Sequence, residues 1–554
     1  MAIENITSTI FAKAPKHAGD RTAFLSRYPS LRTSSMHTQY PALKQAPTRT
    51  VPLPAKRSLV FLISAIMAMS AHAFSSGSTG ADGAFSPTVN TEVVLPPSGV
   101  LNYTSINIPA GVTVTFKKNV TNTPVTLLVS GDATVAGSLS VVGGDAKATG
   151  TYGDGALADD GIPGVGGPGG YDGGRGGRSD AALRGEIVRG GSGLGPGGGL
   201  GGVEGGDGCT SRGYAQYPGI GGAYGANAFQ SFSIPWCGAA AITVFSKPYG
   251  SPLLQPMIGG SGGGGGRGGV AYPGSGGGGG GGALLIAVSG VLKNNGVIDA
   301  TGGDGGGNSG TGAGGQGAGG SGGALRLMAT TISGTGNLLA NGGCANANNQ
   351  RRQYCLADGS NPQNGGSVGR IRLEAEAITF SGGSQPAYSK DVPGPVFVSS
   401  APSMRIASVA AQVVPVNPTG NADVTLPATT TGPVDVIFET ANVPVGNTIL
   451  LRVVPAYGQP IEALSPAITG NTSNGNATVT VTLPAGPSTL QATTTYTIVV
   501  AGTIDLSRFA QNEAVEKVEV TVSMAGETKT RLLTANGNAY PVSYAILRAA
   551  GFQG

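Results

Sequence analysis

Histidine is almost missing from this chain. The three present, His17, His37 and His72, all fall within the first 73 residues. Beyond them neither a Ser-His-Asp or Cys-His machine nor a His-ligated zinc site can be built. What remains open is carboxylate chemistry, oxygen-ligated calcium, or no chemistry. Charge is scarce too, at 11% of residues, under half the usual share. The formal net charge of +4 is misleading. Residues 1–73 hold nine of the 33 basic and two of the 29 acidic side chains, so the rest carries 24 basic against 27 acidic, a net −3. That balance gives no support to nucleic-acid binding. Long apolar runs are absent: the longest, within Leu59–Ser70, is shorter than the about 20 residues of a membrane-spanning helix. Cysteine is limited to Cys209, Cys237, Cys344 and Cys355. Neither spacing matches paired CxxC knuckles, which argues against a thiolate metal site.

The segment "KRSLVFLISAIMAMSAHAFSS" has the three parts of an export signal. Lys56 and Arg57 form the positive start, an apolar stretch follows, and Ala71-His72-Ala73 is a small-x-small cleavage site. The mature chain is therefore expected to begin near Phe74, secreted to the extracellular space or cell surface. Residues 1–55 read as a basic leader without a fold, or as lying upstream of the true translation start. In an exported chain an even cysteine count reads as disulfides. Sequence proximity favours Cys209–Cys237 and Cys344–Cys355 among the three possible pairings.

Glycine dominates what is present, at 99 of 554 residues, and disfavours helix by about 1 kcal/mol per residue against alanine. After a lead-in at 74–90, short alternating runs begin, and two patterns recur. Gly137–Gly144, Gly296–Gly303 and Gly336–Gly343 share the form Gly, any, apolar, any, small apolar, any, Gly-Gly. Strand-like runs start at Val125, Ala283, Ala324 and Arg370, the last three spaced by 41 and 46 residues. Near-fixed repetition of units that cannot bury their own apolar faces predicts a solenoid. The fold class expected is all-β: a glycine-rich parallel β-helix or β-solenoid over 91–400, with a large insertion at about 145–280. Stacking in register would put Leu284, Leu325 and Ile371 in one ladder and Ile286, Leu327 and Leu373 in the next. Glycine is expected at corners. In the insertion it falls at every third position from Gly161 to Gly176, which would suit extended helices packed side by side or a flexible segment. "ANAFQSFSIPWCGAAAITVFSKPY" reads as a hairpin. From about 401 to 554 glycine falls to ordinary levels, and runs such as "MRIASVAAQVV", "ADVTLPA" and "EKVEVTVSM" predict an immunoglobulin-like β-sandwich.

"GGSGGALRLMATTISGTGNLLANGG" and "GGSVGRIRLEAEAITFSG", followed by a tail beginning "PSMRIASVAAQVV", resemble glycine-rich secreted bacterial proteins of uncharacterised function that carry a C-terminal β-sandwich. The resemblance runs from about Thr91 to the C-terminus and carries over no functional residue.

Three kinds of chemistry have candidate residues in the sequence. In "GGALLIAVSG", at Gly281, the glycines precede a strand, whereas a phosphate cradle places them before a helix. Calcium is the one candidate cofactor, through Asp299 and Asp304 in settings faintly like a calcium-binding nonapeptide; the plainer reading makes them turn residues. Glu374 and Glu376 share a strand face with Arg370 and Arg372, where a solvated, charge-paired surface is expected. Asp159, Asp160 and Asp172 lie among glycines that would position acids poorly. No catalytic or cofactor-binding residue is assigned. The expected function is an exported structural or adhesin-like surface protein, with glycans or matrix components as candidate partners, no nucleic acid and no membrane span in the mature chain. The alternative is a polysaccharide lyase or hydrolase using carboxylates on the solenoid face.

Overall fold

The computed structural model describes residues 74–147, 161–178, 189–202, 218–234, 239–268, 273–307, 315–345, 365–397, 401–415, 423–455, 460–486, 488–500, 504–524 and 528–553. Residues 1–73, with the expected leader and signal segment, lie outside them. Ala71–Gly554 forms one compact unit.

The chain is nearly all β, and residues 84–391 build two parallel sheets. From Thr91 the chain alternates between them. Thr91–Val94, Thr113–Lys117, Ser138–Ser140, Val297–Asp299, Asn337–Leu339 and Gly383–Gln385 form a six-stranded sheet among the described residues. Between them in sequence come the longer strands of a nine-stranded sheet, including Val125–Val129, Ala283–Asn294, Ala324–Ser333 and Arg370–Ile378. The register is the one the repeats predict. Leu284 stands beside Leu325 and Leu325 beside Ile371; Ile286, Leu327 and Leu373 follow two residues on. Leu139, Ile298 and Leu338, the apolar position of the short motif, are likewise in register. The two sheets share one apolar core, to which the motif's small positions Val141, Ala300 and Ala340 also belong. The outer face of the longer sheet is covered as well: Leu128, Leu285, Ala287 and Met328 are buried there against Phe74, Val100, Met257 and Val396. Burial on both faces explains why "ALLIAV" is a continuous apolar run.

The glycine runs do more than turn corners. Between the short strands and the long ones the chain travels through straight segments bonded side by side. Segment 273–282 shows the rule. Gly274, Gly277 and Gly280 donate to Gly177, Gly174 and Tyr171; Ser275, Gly278 and Gly281 donate to Gly315, Ala318 and Ser321; Gly279 and Gly282 donate to Gly144 and Val141. Its carbonyls accept from Gly164 and Gly167, from Gly260, Gly263 and Gly266, and from Gly303 and Gly306. Each partner recurs every third residue, the period of a polyproline II-type helix, whose peptide groups point outward and make no internal bonds. Segment 273–282 thus has six bonded neighbours. Packing this close leaves no room for side chains. A methyl group built on Gly277 would overlap the carbonyl of Gly263, and one on Gly320 that of Gly279. Close approach, rather than positive φ, is what requires glycine across these two runs. At the most enclosed positions of these segments the residues admitted beside glycine are small: Ala318 and the fully buried Ser261, Ser275 and Ser321. In its described part the insertion is therefore a bonded bundle. It also contains the expected hairpin, Ala228–Ile234 paired antiparallel with Ala239–Ser246.

From 401 onward two antiparallel sheets, five- and six-stranded among the described residues, draw on a single apolar core. Two expectations fail here. The run "ADVTLPA" is not a strand in its described part, 423–428; Val424 and Leu426 instead pack against the core from a loop. The C-terminus also holds a helix, Tyr544–Ala549, where no helix was expected. Ser543 caps it by accepting from Ala545 N–H. At its end, Gly551 at φ +94° and the bonds Gly551 N–H to Arg548 and Phe552 N–H to Leu547 stop it.

Candidate functional site

The acidic pair singled out in the sequence lies on Arg370–Ile378. Residue parity holds, since Arg370, Arg372, Glu374 and Glu376 do share a face. The expected solvation does not. Glu374 is 2% exposed and Arg372 7%. The same face of the neighbouring strand presents Arg326, 1% exposed and in register with Arg372. Two guanidinium groups would repel each other there, and Glu374 lies between them. Arg326 grips it through Nε and Nη2, both at 3.0 Å, and Arg372 Nε reaches it at 2.7 Å. Arg372 also bonds Asp391 at 3.0 Å. Two Arg and two acids make the cluster neutral. The lid is the segment after Asp391: Gly394 N–H donates to Glu374 at 2.9 Å, while Arg326 donates to the carbonyls of Pro395 at 3.0 Å and Val396 at 3.2 Å. Burial alone would push the Glu374 carboxyl up, but the bonds and charge of Arg326, then the Gly394 amide and Arg372, hold it below the usual carboxylate range. It is a fixed anion with its lone pairs committed, which suits it to holding strands together and leaves it poorly placed to exchange protons with a substrate.

Arg370 points the other way along the same face and stacks over the Tyr224 ring at 4.9 Å. Glu376 alone of the four is exposed. Arg326 was not singled out from sequence, although its signal was present: it interrupts an apolar strand at the position aligned with Arg372.

Asp299 Oδ1 accepts the N–H of Thr301 at 2.8 Å, as an Asx turn does. Burial raises its carboxyl, against smaller opposing effects from Thr301. Asp304 accepts the N–H of Cys344 at 2.7 Å and donates its own N–H to Asp145 at 2.8 Å. The two calcium candidates thus serve the backbone of neighbouring repeats. Among the described residues no group of three or more His, Cys, Asp or Glu is placed to hold a metal ion. Asp172 pairs with Lys118 at 3.1 Å and accepts from Gly166 N–H at 2.8 Å, pinning the first bundle segments. Asp159, Asp160, Cys209, Cys237 and Cys355 lie outside the described residues. Cys344 is not a free thiol, and the pairing of the four stays an expectation. Among the described residues no helix is long and apolar enough to cross a membrane.

No family model matches this chain, and no curated protein or solved structure matches it either.

Proposed function

We propose that this is an exported structural or adhesin-like surface protein. In this reading the two parallel sheets are a β-solenoid with one side rebuilt as a glycine-helix bundle, and the C-terminal sheets are an immunoglobulin-like sandwich serving as spacer or binding module. The carrying observation is the bundle: six-neighbour backbone bonding in a chain segment almost without side chains. Such a body is stiff, low in charge and poor in reactive groups. A bond network of this density has its clearest use in mechanical rigidity or in presenting a surface. Of the two acids that would have served a polysaccharide lyase or hydrolase, Glu374 is sealed under Gly394–Val396, which weighs against that alternative. The candidate partners remain glycans and matrix components.

Two measurements test the reading together. Antibody labelling of intact producing cells locates the protein, and binding of the purified mature chain to glycan arrays and cell surfaces tests adhesion. Labelling at the surface or release to the medium is expected. Retention in the cytosol with residues 1–73 still attached would overturn it.

A further inference from the structure

Residues 74–85 cross the outer face of the longer sheet like a strap, against the order of its strands. Phe74 packs with the cluster of Leu128, Leu285 and Met328, and its backbone N–H donates to Glu376 at 2.8 Å. Ser76, 1% exposed, is held by protein groups: its N–H donates to Ser289 Oγ at 3.0 Å and its hydroxyl to the carbonyl of Val129 at 2.8 Å. Ser78 donates to the carbonyl of Tyr103 at 2.8 Å, Asp82 N–H to that of Asn102 at 2.8 Å, and Ala84–Phe85 pairs with Ser105–Ile106. A dozen residues thus tie the last long strand to the early ones. The strap begins at the residue that follows Ala71-His72-Ala73.

We infer that cleavage before Phe74 completes this strap, by turning the Phe74 N–H into an ammonium that forms an ion pair with Glu376. The inference rests on the export reading. Hydrolysis of the Ala73–Phe74 bond by an export peptidase consumes one water, leaves a carboxylate on Ala73 and an amine on Phe74. At neutral pH that amine takes up a proton. The separation of 2.8 Å is already that of a charge-assisted bond. In the uncleaved chain the same position offers one neutral donor. Removing the signal therefore strengthens the end of the strap, so the stack is fully locked only in the mature chain. Because Glu376 is exposed, the gain is modest, about two- to fivefold in the opening equilibrium of the strap.

The test uses the chain cut in vitro either before Phe74 or before Ala71, each with Glu376 and with Glu376→Gln. Hydrogen exchange of the Ser76 and Ser78 amides reports strap opening. Exchange is expected to be about two- to fivefold slower in the chain that starts at Phe74, with the difference vanishing in the Gln variant. Selective acetylation of the Phe74 amine, which removes the charge without changing the side chains, should restore the faster rate. Equal rates for both starts, or an equal difference in the Gln variant, would overturn the latch. N-terminal sequencing of the exported protein bears on the other premise. A start elsewhere than Phe74 overturns cleavage at this bond, whatever the in vitro chains do.

Discussion

Asp145 accepts the backbone N–H of Asp304 at 2.8 Å, and Asp304 in turn accepts that of Cys344 at 2.7 Å. The three residues occupy the same place after Gly-Gly in successive repeats, so each aspartate serves the repeat that follows. Cys344 closes the series in the described residues, and no aspartate stands there. Asp304→Ala leaves a partly buried N–H without its acceptor and should cost about 1–3 kcal/mol. Asp304→Asn keeps an acceptor and should cost much less. Denaturant unfolding of both variants measures the difference.

The Arg326–Glu374–Arg372 cluster gives a second prediction. Glu374→Ala strands a guanidinium that is 1% exposed and should destabilise by about 3–5 kcal/mol. Replacing Arg326 and Glu374 together by Met and Leu should recover most of that loss, because an apolar pair incurs no desolvation of charge. The sign with pH follows from the lowered Glu374 carboxyl. Its contribution is complete above the ordinary glutamate value and is lost as pH falls through the lowered one. Thermal melts of the wild-type chain from pH 7 down to pH 3 should therefore steepen in their decline at the acid end, and the double replacement should flatten that decline.

Asp299 should behave in the opposite sense. Its carboxyl is raised by burial, so the ionised form weakens the fold at neutral pH and protonation relieves the cost. Asp299→Asn preserves an oxygen for the Thr301 N–H and should raise Tm at pH 7. The advantage should shrink as pH is lowered and Asp299 itself becomes protonated.

Glycine substitution separates packing from backbone freedom. Gly277→Ala forces a methyl group into the Gly263 carbonyl and should cost about 3 kcal/mol or more. Gly432 has open space around the same position, so Gly432→Ala should be neutral or stabilising by about 0.4–1 kcal/mol. Urea unfolding midpoints of the two variants, compared with the wild-type chain, check both.

Period two in "RIRLEAEAI" was enough to place Ile371 and Leu373 inward and Arg372 and Glu374 outward, and the repeats set the register of Leu284, Leu325 and Ile371. What covers an outward face is another matter. The cover over Glu374 comes from Gly394–Val396, and that over Leu128 and Leu285 from Phe74 and Met257. None of these is marked by local periodicity. The glycine bundle was half legible: Gly at every third position named the helix period, but the six neighbours come from segments up to about 140 residues away. The terminal helix was legible in principle, because Ser543 and Gly551 carry ordinary start and stop signals. At six residues it is too short to show a helical period.

The glycine segments are bonded structure instead of loops. Amide hydrogen exchange over residues 273–282 measures this directly. Protection comparable to that of the strand Ala324–Ser333 is predicted, with Gly274, Gly277, Gly278 and Gly281 among the slow amides. Exchange at the rate of an unprotected chain across that segment would contradict it.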